Sequence, residues 1–137
     1  MASELIDSYS ETNQDDAYAL DSVHSHFVGQ SFCVSKGMPL SSVKFYIKKT
    51  GSPTGNATAK LYLHTGVYGN GGKPTGSALG TSATFDVSTL TGSYQLIEFT
   101  FSGANKIRLQ PGMFYCIELN YEGGDGSNLV HIVLDIS

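Results

Sequence analysis

Ser42-Val43-Lys44-Phe45-Tyr46-Ile47-Lys48-Lys49 is the stretch that decides the fold class. Val43, Phe45 and Ile47 alternate with Lys44, Tyr46 and Lys48. A period of two places successive side chains on opposite faces of an extended strand. One face is therefore apolar and expected in a core, and the other is basic and aromatic and expected in water.

The same pattern extends in both directions. Upstream, in Gly29-Gln30-Ser31-Phe32-Cys33-Val34, Phe32 and Val34 share one face and Ser31 and Cys33 the other. Downstream, the turn-rich run Thr50-Gly51-Ser52-Pro53-Thr54-Gly55-Asn56 leads into a strand from Thr58 to Thr65. There Leu61 and Leu63 point inward and Lys60, Tyr62 and His64 outward. These two strands are expected to form a hairpin.

The segment Gly66 to Ser77 holds five Gly and one Pro and reads as a long surface loop. Strands follow around Ala78 to Phe85 and from Ser93 to Ser102. In the second of these Ile97, Phe99 and Phe101 make the core face, and Leu96 lies opposite in phase with Tyr94. Lys106 to Leu109 is a short strand, and Gln110-Pro111-Gly112 is a turn. Met113 to Tyr121 aligns Met113, Tyr115, Ile117, Leu119 and Tyr121, as a central strand would. The loop Glu122 to Ser127 then leads into a last strand, Asn128 to Ile136. About eight strands with connections of varied length predict an all-β antiparallel sandwich of jelly-roll or Greek-key type.

Composition agrees with this reading. The 137 residues fit one domain, 40% are apolar and 15% charged, and sixteen Gly, eight Tyr and seven Phe favour strands and turns over helix. Residues 1–35 carry a charge of −6, from Glu4, Asp7, Glu11, Asp15, Asp16 and Asp21, and the remainder carries +2. Residues 1–19 are thus read as an acidic arm and 20–137 as the sandwich domain. The arm would either dock on a basic surface of a neighbouring subunit or remain solvated.

Eight Lys and Arg in all argue against a nucleic-acid partner. The start MASELIDSYSETNQDD has neither the basic nor the apolar region of a signal peptide. No run approaches the roughly 20 apolar residues of a membrane span. The chain is expected in the cytoplasm where it is made or in a particle that assembles there. Cys33 and Cys116 could pair only if their strands were neighbours, and two reduced thiols are expected.

A resemblance extends over residues 28 to 130. Gly29-Gln30-Ser31-Phe32, the run from Leu40 to Asn56, Gln95-Leu96-Ile97-Glu98-Phe99-Thr100-Phe101, Leu109-Gln110-Pro111-Gly112-Met113-Phe114-Tyr115 and Gly123-Gly124-Asp125 carry it. Together they resemble a β-sandwich module of phage and environmental sequences, related to the choice-of-anchor R domains of bacterial surface proteins. The resemblance implies a surface or virion module with no catalytic signature. A free-standing module of this kind looks more like a capsid decoration or cement protein than a sugar-binding appendage.

Few constellations suggest chemistry. His24 and His26 would share a strand face but supply only two metal ligands, and His64 and His131 stand outside any triad-like motif. Glu122, Asp125, Ser127 and Asn128 offer oxygen ligands without matching an EF-hand loop, and a plain turn is the expectation. Glu98 and Glu118 could serve glycoside hydrolysis only if their strands adjoined, and no cleft-forming insertion supports that. Asn56-Ala57-Thr58 matches a glycosylation acceptor by chance. No enzyme activity, cofactor or metal is expected.

The most suggestive feature is the outward face of the expected hairpin, Lys44, Tyr46 and Lys48 beside Lys60, Tyr62 and His64. Tyr68 in the Gly-rich segment joins them as a partner-binding candidate. Taken with what the resemblance implies, this face leads to the expectation of a virion structural protein that binds a capsid or another virion protein and forms homo-oligomers. The alternative is a carbohydrate-binding module that uses the Tyr rings as stacking platforms; Trp is absent.

Overall fold

The computed structural model describes residues 16–20, 27–34, 36–67 and 70–134. Two antiparallel sheets face each other across one core. Sheet A has the order β1 (Asp16–Leu20), β11 (Leu129–Leu134), β4 (Ser42–Thr50), β8 (Gln95–Thr100). Sheet B has the order β2 (Phe27–Cys33), β10 (Phe114–Asn120), β5 (Asn56–Val67), β6 (Asn70–Thr81). Three two-residue strands complete the set: β3 (Met38–Pro39) pairs with β9 (Arg108–Leu109), and β7 (Phe85–Asp86) pairs with β5.

Eight longer strands stand among the described residues; the expected strand Lys106 to Leu109 is only the two-residue β9, and β1 is not among the expected strands. The order of the longer strands is that of a jelly roll: the first strand lies beside the last, the second beside the last but one, and the chain changes layer between successive longer strands except at the β5–β6 hairpin.

Alternation builds the core. Sheet A contributes Leu20, Phe45, Ile47, Phe99, Val130 and Ile132, and sheet B contributes Phe32, Ala57, Ala59, Leu61, Tyr115, Ile117 and Leu119, all in one buried cluster. Phe45 meets Phe99 edge to face at 5.8 Å, and Phe32 stacks on Tyr115 at 5.8 Å. Tyr121 is buried where β10 ends, and its hydroxyl donates to the Thr54 carbonyl at 2.7 Å, so its one polar atom is satisfied.

Several expectations need correction. β4 and β5 do not form a hairpin. β4 pairs with β11 and β8, and β5 with β10, β6 and β7, so the link between them crosses from one layer to the other. That crossing turns at Gly51, whose φ of 72° favours glycine, and a Cβ there would collide with the Ser127 carbonyl oxygen.

The Gly-rich segment is not one long loop either. β5 runs to Val67 and β6 resumes at Asn70, forming a hairpin whose register shifts twice. Pro74 is accommodated there because β6 is an edge strand, where one side of the backbone needs no partner. β1 begins at Asp16, inside the stretch assigned to the arm, because its pairing with β11 brings residues 16–20 into sheet A. Met113 is 42% exposed rather than buried, since it precedes β10 directly after the turn at Gly112.

Candidate functional site

The six outward residues that sequence placed on one face belong to two faces, on opposite sides of the molecule. Lys44, Tyr46 and Lys48 project from the outer face of sheet A. Lys60, Tyr62 and His64 project from the outer face of sheet B. Alternation correctly assigns each of them outward, but strand pairing separates the two triads. Tyr68, His24, His26, Asp21 and residues 1–15 lie outside the described residues.

On sheet A, register fixes the neighbours. Lys44 lies opposite Glu98, Tyr46 opposite Leu96 on one side and Val133 on the other, and Lys48 opposite His131. The Lys48 ammonium sits 4.9 Å from the centre of the Tyr94 ring, within cation–π range. Burial raises the Tyr94 hydroxyl above its usual pKa. Glu98 accepts a hydrogen bond from Ser42 Oγ at 2.9 Å, and Thr50 Oγ1 lies 3.1 Å from His131 Nδ1.

Leu96 is 53% exposed and is the most exposed large apolar side chain among the described residues. The face thus combines basic groups with Tyr46, Tyr94 and Leu96. Tyr94, Leu96 and His131 were missed as members of it. The phase of Leu96 with Tyr94 was the available signal for two of them.

Sheet B presents a different surface. Phe114 lies in the row of His64, Cys116 opposite Tyr62, and Glu118 opposite Lys60. The His64 and Phe114 rings are 5.9 Å apart, and Phe114 is 40% exposed. Glu118 is buried although it faces away from the core. Burial pushes its carboxyl above the usual range, partly offset by a hydrogen bond from the Tyr62 hydroxyl and by the Lys60 charge. Burial in turn raises the Tyr62 hydroxyl, and the neighbouring carboxylate raises it further.

Glu98 and Glu118 stand on the outer faces of different sheets, which removes them as a pair of hydrolytic carboxylates. In the loop before β11, the Asp125 carboxylate accepts from the Ser127 and Asn128 amides at 2.8 and 2.9 Å and from the Asn128 side chain. Its oxygens thus shape a turn, the role expected of a capping aspartate. β2 and β10 are neighbours, yet Cys33 lies opposite Phe114 and Cys116 opposite Ser31, and no disulfide joins the two.

Among the described residues, no three His, Cys, Asp or Glu side chains gather as a metal site would require, and no helix is long and apolar enough to cross a membrane. No family model matches the chain, and no curated protein or solved structure matches it either.

Proposed function

We propose that this chain is a non-enzymatic virion structural protein of the capsid decoration or cement type, which binds the particle through the outer face of sheet A. The observation that carries the proposal is the contiguous block of Lys44, Tyr46 and Lys48 with Tyr94 and Leu96 on a rigid sheet. Tyr rings give large contact area for little lost freedom, and Lys draws an acidic partner surface. The jelly-roll order is compatible with this reading, although a fold alone does not fix a function.

A second reading, carbohydrate binding, is favoured by the outer face of sheet B. Tyr62, His64 and the exposed Phe114 there supply rings beside a lysine and a carboxylate.

One experiment separates the two faces. Purified protein is co-sedimented with capsids assembled from the major shell protein of the same source, and in parallel is applied to a glycan array. Tyr46→Ala is expected to weaken capsid binding at least about tenfold, the scale of a 1.4 kcal/mol contact, while Tyr62→Ala leaves it unchanged. Parent protein that stays in the supernatant would sink the decoration reading. Array binding lost with Phe114→Ala would establish the second reading in its place.

A further inference from the structure

We propose that β8, the open edge of sheet A, is an interface for a second copy of this chain, joined by antiparallel strand pairing about a twofold axis at Leu96. The two sheets end in four edge strands. β6 carries Pro74, several glycines and two register shifts, which are devices that stop an edge from pairing with another chain. β2 contains Gly29, and β1 opens on Asp16. Gln95–Thr100 contains no Gly, Pro or Lys and pairs with β4 without a register shift; Glu98 is its one charged residue.

The backbone of β8 is arranged to accept a partner. The Phe101 amide donates to the Ser41 carbonyl at 2.9 Å. In that register residues 95, 97 and 99 exchange hydrogen bonds with β4, so residues 96, 98 and 100 turn their N–H and C=O groups away from it. The Thr100 carbonyl accepts from the Ala83 amide at 2.9 Å, which closes that end. The N–H and C=O groups of Leu96 and Glu98 thus point away from β4, and both residues are exposed among the described residues.

Register follows from the side chains. A twofold pairing must set outward-directed residues against each other, which leaves three choices. Glu98 against its twin opposes two carboxylates and draws on the Thr100 carbonyl that Ala83 already occupies. Leu96 against Glu98 leaves each leucine beside a charge. Leu96 against the partner's Leu96 covers the most exposed apolar side chain of the described fold and sets Glu98 opposite Tyr94. The geometry favours this last register. Sheet A then continues through β8 into the second copy as one eight-stranded sheet. This inference does not depend on what the outer faces bind.

The test uses the full chain. Light scattering is expected to give twice the 14.6 kDa chain mass at high concentration, and Leu96→Lys is expected to halve it while keeping the thermal midpoint that the parent shows when diluted to monomer. Independently, Leu96→Cys in a Cys33→Ser background is oxidised with copper phenanthroline. Opposed residues of a hydrogen-bonded pair stand about 5.5 Å apart at Cα, within disulfide reach. A reducible dimer is therefore expected from Leu96→Cys and not from Glu98→Cys, a result that stands even if Leu96→Lys misfolds. A parent protein that is monomeric at every concentration, or cross-linking at Glu98→Cys in place of Leu96→Cys, would overturn the proposal.

Discussion

Glu98 and Glu118 are placed alike and live differently. Each projects from the outer face of its sheet, and each has a lysine as cross-strand neighbour, Lys44 for Glu98 and Lys60 for Glu118. Glu98 is exposed, yet Glu118 is only 5% exposed and Cys116 beside it only 3%. The cause lies in strand order. β10 has a strand on each side, β2 and β5, whereas β8 has a neighbour on one side only. An outward direction does not by itself make a residue solvated; the position of its strand within the sheet decides that.

The largest expected contrast comes from reversing the two charges. Glu118→Lys would bury an ammonium next to Lys60 and should cost more than about 3 kcal/mol, whereas Glu98→Lys should stay within about 0.5 kcal/mol. Urea unfolding at neutral pH measures both, and similar losses would break the comparison. A smaller effect is expected from Tyr62→Phe, which removes the hydroxyl that bonds Glu118. It should lower stability by about 1 kcal/mol, read from the shift in the same unfolding midpoint.

The smallest effect concerns pH. Because burial raises the Glu118 carboxyl, the folded protein holds a proton that the unfolded chain has already released. Stability must then fall as pH rises through the window between the ordinary carboxylate value and the raised one. Glu118→Gln carries no such proton, so its stability relative to the parent should grow across that window and level off above it. Thermal midpoints of the two proteins from pH 4 to 8 provide the check. The opposite slope would mean that Lys60 and Tyr62 outweigh burial.

Much of this fold was legible in the residues. Val43, Phe45 and Ile47 on β4, and Tyr115, Ile117 and Leu119 on β10, announce their inward faces by alternation alone, and all but the partly buried Val43 are in fact buried. The central place of β10 was visible in the apolar content of its inward face. Pairing was not legible, because alternation states which side of a strand is wet and says nothing about which strand lies beside it. The five residues between Thr50 and Asn56 serve a layer crossing as well as a hairpin, so Lys44, Tyr46 and Lys48 were joined to the wrong neighbours. The glycines around β6 concealed a strand for a related reason: an edge tolerates residues that a central strand would reject. At the candidate sites, the outward lysines and tyrosines were identified, while the burial of Glu118 depends on neighbours that only the pairing reveals.

The adjacency of the first and last strands has a mechanical consequence. Asp16 lies opposite Leu134, so β1 starts and β11 finishes at the same end of their ladder. Tension applied through these two residues would act on that end alone and part the ladder one rung at a time, Asp16 from Leu134 first and Leu20 from Val130 last. Such a pair peels under load rather than shearing as a block.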